Sequence, residues 1–306
     1  MSQATSVNDS RAATRRGIFA MSLAMAAFVT NDSIVKFISE SLPTAQLVFV
    51  RGLFAVLLLL LVARLTGALN FASLRGLGQP RVMLRAGFDA TATLLYLSAL
   101  PHLPLGNATA INMSTPLLIT LFAVLFFKER VGLGRWLAVA IGFAGVLLIV
   151  QPAAAAFNAW TLLCLSGTVF HSARDLTTRY IPRQVDSVII TLATALLVTL
   201  FAGAWLLLQG WQAMVPKQYF LLAATSVFLS AGYYLIIVGM RDGEMSVIAP
   251  FRYTGLLFAL LFGWLIWRDV PNALAWCGIS LVVGAGLYVL HSERERTRAA
   301  MDAAPD

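Results

Sequence analysis

Apolar residues in this chain come in long runs, separated by short breaks at charges, Pro and Gly. Runs such as Leu57–Val62 and Leu117–Phe127 lack the alternation of about ten residues per segment that marks a transmembrane barrel. They read as helices. A helix crossing a bilayer takes about 20 apolar residues. On that measure the pattern predicts spans at 17–38, 44–66, 82–100, 105–127, 131–150, 157–178, 187–208, 218–240, 245–267 and 271–291. The stretches 1–16 and 292–306 are polar and are expected to be flexible tails. Arg15-Arg16, an apolar stretch and Ala24-Met25-Ala26 imitate a secretory signal with its cleavage site. Yet the apolar run Ile18 to Leu23 is six residues, below the roughly 7–15 of a signal peptide. It is read as an uncleaved first span.

Composition narrows the class. The chain has 306 residues, 59% hydrophobic and 12% charged, with mean hydropathy +0.81. Soluble domains run near 25% charged, so this chain lacks the charge to cover a soluble surface. Disorder needs low hydrophobicity and high charge and is excluded too. The net charge of +8 would point to nucleic acid in a soluble protein. In a membrane protein it reflects cations held on the cytoplasmic side, and their positions decide the matter. With ten spans and an internal N-terminus, 17 of the 22 Lys and Arg fall in inside segments. These are Arg11, Arg15, Arg16, Arg64, Arg75, Arg81, Arg85, Lys128, Arg130, Arg135, Arg174, Arg179, Arg183, Arg241, Arg294, Arg296 and Arg298. Only Lys36, Lys217 and Arg268 fall outside, while Arg51 and Arg252 lie within spans. The asymmetry puts both termini in the cytoplasm of a cell with the chain in its inner (plasma) membrane, surrounded by lipid and free of nucleic acid.

The two halves are alike. Asn31-Asp32-Ser33-Ile34-Val35-Lys36-Phe37-Ile38 aligns with Arg174-Asp175-Leu176-Thr177-Thr178-Arg179-Tyr180-Ile181. Lys128-Glu129-Arg130-Val131, followed by Trp136, aligns with Trp267-Arg268-Asp269-Val270, followed by Trp276. The offsets are 143, 139 and 140 residues, which a duplication with small gaps explains. Five spans per half is odd, so the second copy enters the membrane inverted. Many secondary transporters share this design, with the substrate site near mid-membrane between the repeats. The fold expected is therefore an all-α membrane protein of ten transmembrane helices. It comprises a tail (1–16), a first five-helix repeat (17–150), a second (157–291) and a tail (292–306).

Over residues 17–291 the chain resembles the drug/metabolite transporter superfamily, specifically its ten-span EamA family. The resemblance rests on the inverted repeat, on Asn31-Asp32 followed by Lys36-Phe37, and on Phe49-Val50-Arg51-Gly52. Glu129 with its counterpart Asp269, and the ending Gly142-Phe143-Ala144-Gly145-Val146, belong to the same set. The family implies import or export of a small metabolite such as an amino acid, a vitamin or a nucleoside-like compound. The second half departs from the pattern: Thr194 stands where a repeat-matched Arg51 belongs, and Arg252 appears on span 9.

Ionisable side chains within a bilayer cost about 2.5–3.5 kcal/mol each at a helix centre, so each marks a partner, a cavity or a pathway. Asp32 and Arg51 lie about 9 and 10 Å below the outer face by helical rise and are expected to meet. Arg252 and Asp175 are paired less closely in depth near the inner face. Either pair is a gate or a fixed salt bridge. Asp89, the deepest acid, stands four residues after Arg85, the spacing of an intrahelical ion pair. Its other reading is a proton- or substrate-responsive carboxylate in a cavity, which brings proton or ion coupling into view. Span 4 is interrupted by Pro116 and span 9 by Pro250. Interrupted spans at corresponding places in two halves point to a transporter site. Asn112 shares a face with Thr115 and Pro116, and Asn31, Tyr253 and Arg252 are further candidates. Thr109 and Ser114 serve equally as hydrogen-bonding glue, whereas Asn112 fits the site reading better. Tyr96 and Tyr234 suit stacking on a flat ligand, while Trp160, Trp211, Trp264 and Trp267 suit an interfacial belt. His171 reads as a hydrogen-bonded interior residue.

His102, His171 and His291 lie in separate segments and Cys164 and Cys277 inside spans, so neither a metal site nor a disulfide is expected. The chain has no P-loop glycine motif and no expected cofactor. A secondary transporter of a small-molecule metabolite fits best. A membrane-embedded lipid-modifying enzyme would need a convergent catalytic set. A structural or sensory subunit would be expected to carry a soluble domain or long tail.

Overall fold

The computed structural model describes residues 2–68, 75–128, 132–151, 158–178, 180–182, 184–242 and 248–302. Glu129, Arg130, Val131, Arg179 and Arg183, named above, lie outside the described residues. Among the described residues the elements are helical: α1 Ser2–Ser39, α2 Thr44–Leu65, α3 Pro80–Ala99, α4 Leu105–Asn112, α5 Thr115–Phe127, α6 Leu133–Val150, α7 Trp160–Thr178, α8 Ser187–Gln209, α9 Pro216–Asp242, α10 Thr254–Phe262 and α11 Ala273–Asp302. A 3₁₀ turn, Leu100–His102, follows α3; another, Ala249–Tyr253, precedes α10; a π turn, Gly263–Trp267, closes it. Residues 2–16 and 292–302 of the tails expected to be flexible continue α1 and α11 as helix. Residues 2–16 contain neither Gly nor Pro, and 293–302 are rich in Glu, Arg and Ala, which favour helix.

Among the described residues, eight helical runs are long and apolar enough to cross a membrane: 15–39, 44–65, 105–126, 133–150, 187–209, 216–236, 250–267 and 273–292. The other two expected spans are α3 and α7. Both are long helices, but α3 carries Arg81, Arg85 and Asp89, and α7 carries His171, Arg174 and Asp175.

Span 4 breaks where Pro116 predicts. Met113 and Ser114 leave the helix, and Pro116 sits in the first turn of α5. The missing proline N–H frees a carbonyl. Local hydroxyls answer: Ser114 Oγ donates to the Ile111 carbonyl at 2.7 Å and Thr115 Oγ1 to the Asn112 carbonyl at 2.6 Å. After the Pro250 break, Thr254 Oγ1 likewise donates to the Phe251 carbonyl at 2.7 Å. Lys128 (φ 53) and Arg268 (φ 58) end their respective helical runs in the left-handed region, a conformation that costs a non-glycine residue about 1–2 kcal/mol.

The chain forms two compact units. Unit 1 takes Met1–Val29, Leu105–Phe157 and Ala231–Asp306; unit 2 takes Thr30–Pro104 and Asn158–Ser230. Each draws on both halves of the sequence.

In unit 1, α6 and α11 run antiparallel. Arg135 Nε bonds Ser292 Oγ at 2.8 Å, Gly142 faces Ala285, Gly145 faces Gly278, and Gln151 bonds Asn272 at 2.9 Å. The backbones meet at the glycines: a Cβ on Gly145 would stand 2.7 Å from the Gly278 carbonyl oxygen, and one on Gly278 2.5 Å from that of Gly145. Small residues of this kind let membrane helices approach closely. α4 and α10 are also antiparallel, with Gly106 against Leu260 and Met113 against Gly255.

In unit 2, α2 lies antiparallel to α8, with Gly52 on Thr199 and Phe49 on Gly203. α3 lies antiparallel to α7, with Tyr96 on Gly167, and parallel to α8, where Val82 and Ala86 pack with Ala193. Gln46, fully buried, exchanges two hydrogen bonds (2.7 and 2.9 Å) with the Gln212 backbone. Lys36 Nζ donates to the Leu103 carbonyl.

Candidate functional site

Unit 2 gathers charged groups of α1, α2, α3 and α7 into two linked clusters. The first joins α1, α2 and α3. Arg51 Nη1 donates to Asn31 Oδ1 at 3.4 Å, Asn31 Nδ2 donates to Asp32 Oδ1 at 2.9 Å, and the Tyr96 hydroxyl donates to Asp32 Oδ2 at 3.1 Å. Arg51 also acts on Asp32 through its charge. The Asn31 amide stands between Asp32 and Arg51 and bonds both. Asn31, Arg51 and Tyr96 are all buried. The Arg51 carbonyl accepts from Ser226 Oγ at 3.0 Å.

The second cluster joins α3, α7 and α8. Arg174 Nη1 reaches Asp89 Oδ1 at 2.8 Å, while Arg85 Nη1 stands 3.7 Å from Asp89 Oδ2. His171 Nε2 lies 4.0 Å from Asp89 Oδ1. Arg174 also bonds Asp175 Oδ1, from Nε at 2.9 Å and Nη2 at 2.8 Å. Arg85 turns to hydroxyls: Nη1 donates to Thr194 Oγ1 at 2.6 Å and Nε to Thr178 Oγ1 at 3.1 Å. Two arginines face two aspartates, so the charges balance as a buried set must.

The clusters meet through α3 and α7. Asp89 and Tyr96 are seven residues apart, two helical turns along one face. The rings of Tyr96 and His171 lie 6.1 Å apart, and His171 also sits beside Asp89. A polar track therefore runs through unit 2, built from helices of both sequence halves.

The sequence candidates divide accordingly. Asn31, Asp32, Arg51, Tyr96, Asp89 and Asp175 converge in unit 2. Asn112, Tyr234, Arg252 and Tyr253 belong to unit 1. Asp175 was matched by depth with Arg252. It takes Arg174, its chain neighbour, instead, and Arg252 is exposed. Adjacency outweighs a depth match made between separate helices. Tyr234 is exposed, and its neighbour Tyr233 makes the ring contact, edge-on to Phe28 at 5.2 Å. The Tyr253 hydroxyl is buried with no hydrogen-bond partner and lies close against Gly286. Asn107 Oδ1 and Thr109 Oγ1 are also buried without a partner.

Sequence reasoning missed Arg174, counting it among the inside-face cations with Arg85 and Arg135. The structure draws all three into side-chain bonds between helices. The repeat held the signal, since Arg174 occupies the position of Asn31. In the first half an arginine on α2 bonds an amide on α1. In the second half the arginine sits on α7, and position 194 on α8 is the hydroxyl Thr194.

Both halves of the chain, residues 15–151 and 158–290, match the model of the EamA-like transporter family. The chain belongs to this family. EamA-like proteins are membrane transporters rather than enzymes, and curated relatives of this chain carry transporter names. The pseudopaline exporter CntI of Pseudomonas aeruginosa is 27% identical over 92% of this chain and 98% of its own length. A riboflavin transporter of Rhizobium johnstonii is 27% identical over 95% and 96%. An S-adenosylmethionine uptake transporter of Rickettsia conorii is 24% identical over 94% and 97%. A solved protein structure superposes with TM-score 0.59, covering 93% of this chain and 98% of that one at 18% identity. It supports the EamA-like chain's fold alone. This EamA-like protein is thus a multi-pass membrane transporter of the small-metabolite kind.

Proposed function

We propose that this EamA-like protein is a secondary transporter that moves a small polar organic metabolite across the inner membrane by alternating access. The substrate class is an amino acid, a vitamin or a nucleoside-like compound. The observation that carries this reading is the polar track of unit 2. A membrane helix bundle keeps so many charged groups inside only where they serve a partner or a pathway. Asn31, Asp32, Arg51, Tyr96, Asp89 and Asp175 are its proposed substrate-binding or gating residues. Asn112, Tyr234, Arg252 and Tyr253 are proposed contacts on the unit 1 helices.

The ten-span topology, with α3 and α7 as spans and both termini cytoplasmic, is part of the same proposal. The charges that lower the hydropathy of α3 and α7 are satisfied by each other, which lets both helices remain in the membrane. The inverted repeat is supported by the antiparallel pairs α2 with α8, α4 with α10, and α6 with α11. Each pair joins a span to the one five places later, as inversion requires. The left-handed basic residues Lys128 and Arg268, 140 positions apart, are a second echo.

Relatives named as a riboflavin transporter and an S-adenosylmethionine uptake transporter favour polar cargo over a greasy drug. Asp89 is the proposed site of proton coupling. The test is uptake by proteoliposomes of purified protein, screened over amino acids, vitamins and nucleosides with and without a proton gradient. Gradient-driven flux of one class is expected, with loss of its pH dependence in Asp89→Asn. Absence of flux for every class would sink the transport reading, and an unchanged pH profile in Asp89→Asn would sink the coupling.

A further inference from the structure

We propose that Arg85, with the hydroxyls of Thr178 and Thr194, is the subsite that receives a carboxylate group of the transported molecule. The idea rests on the transport reading and narrows its substrate class to carboxylic acids.

The argument begins with how the second cluster distributes its hydrogen bonds. Arg174 serves both acids, with contacts of 2.8 Å to Asp89 and 2.8–2.9 Å to Asp175. Arg85 bonds neither acid within hydrogen-bond reach; its nearest carboxylate oxygen is at 3.7 Å. Its donors go to two neutral oxygens, Thr194 Oγ1 and Thr178 Oγ1. Those hydroxyls spend their own protons elsewhere, Thr178 on the Arg174 carbonyl at 2.8 Å and Thr194 on the Ile190 carbonyl at 3.2 Å. Both therefore present lone pairs to the guanidinium and hold it in place. A guanidinium has five N–H donors in a planar fork. Two are used here. The remaining edge matches a carboxylate, which binds arginine through two parallel hydrogen bonds.

Position favours the same role. Arg85 lies about 7.5 Å from the start of α3 by helical rise, and its side chain is 13% exposed. It is deep enough for reduced screening and open enough to meet a solute. Arg81 lies one turn earlier, bonding the Tyr180 carbonyl, so the mouth of the subsite is cationic. Asp89 stands farther off, 3.7 Å from Arg85, while Arg174 holds it at 2.8 Å across the α3–α7 contact.

The experiment measures thermal unfolding of the detergent-purified full chain with L-amino acids, benzoate and glutarate, each compared with its amide, and with inorganic phosphate. At least one acid should stabilise the wild type where its amide does not. Arg85→Gln should weaken that acid's apparent affinity about ten- to a hundredfold, the loss of a charge-assisted pair. Arg85→Lys, which keeps the charge but not the fork, should fall between. A shift that survives in Arg85→Gln, equal shifts for acid and amide, or a larger shift with phosphate overturns the proposal. Proteoliposome uptake separates it from the wider reading. Flux whose acid-over-amide preference is unchanged in Arg85→Gln removes the subsite and leaves transport standing. An Arg85-dependent shift with no flux of any probe removes transport and leaves the subsite.

Discussion

Replacing Arg174 by Met keeps an unbranched side chain of similar reach and deletes the one group that bonds both Asp89 and Asp175. Breaking a buried ion pair by removing one partner costs about 3–5 kcal/mol, because the other charge is left uncompensated. Here compensation is partial. Arg85 remains 3.7 Å from Asp89, against 2.8 Å for Arg174. Coulomb energy falls inversely with distance, so Arg85 retains about three-quarters of the attraction one arginine gave. Asp175 is partly exposed, with 29% of its side chain accessible, and water can serve it. The expected loss is therefore at the lower end, about 3 kcal/mol, or roughly a hundredfold in the folding equilibrium. Arg81→Met, which loses only a bond to a carbonyl at an exposed site, should cost about 0.5–1.5 kcal/mol. Adding Asp89→Asn to Arg174→Met removes the stranded charge, and the coupling between the two changes should be about 2 kcal/mol, within the usual range for contacting residues. The assay is reversible unfolding in mixed micelles, run as a double-mutant cycle. A single variant no worse than Arg81→Met, or strictly additive changes, would refute the view that Asp89 depends on Arg174.

Three further outcomes are expected. Tyr96→Phe deletes the hydroxyl bond to Asp32 and should cost about 1.5–3 kcal/mol, as bonds to charged groups do, read by the same unfolding assay. Gly145→Leu should destabilise by at least about 1–3 kcal/mol through overpacking, since its Cβ would meet the Gly278 carbonyl at 2.7 Å; Gly284→Ala, with no atom within 4 Å of its added Cβ, should be nearly neutral. Equal effects at the two glycines would contradict the close α6–α11 seam. Gln46→Leu leaves the N–H and carbonyl of the exposed Gln212 without their side-chain partner and should cost about 0.5–1.5 kcal/mol for each bond lost; amide exchange at Gln212 should speed up, and an unchanged rate would count against the bond.

Much of the architecture was legible because its physics is one-dimensional. A bilayer demands apolar length, and length is counted along the chain. Proline at 116 removes a donor wherever it stands, so the break in span 4 followed from one residue. The Asp89–Arg85 relation was also local, four residues on one helix. Depth along two helices adjoining one turn brought Asp32 and Arg51 into one neighbourhood, where Asn31 bonds both. The bridging by Asn31 was hidden, because the amide's direction depends on how the helices rotate against each other. Asp175 bonds its chain neighbour Arg174, a contact that a comparison of depths does not look for.

The sequence by itself determined that this is an all-helical membrane protein of two similar halves, in a family that moves small molecules, with a few charges where a bilayer resists them. Those properties follow from composition, periodicity and repetition, which need no knowledge of contacts. Only the tertiary structure decided that Arg174 bonds both acids, that Arg85 gives its hydrogen bonds to hydroxyls while standing 3.7 Å from Asp89, and that Tyr96 and His171 join two clusters into one track. An arginine counts the same in any tally of charge. Its role depends on which oxygen its fork reaches, and helix packing sets that.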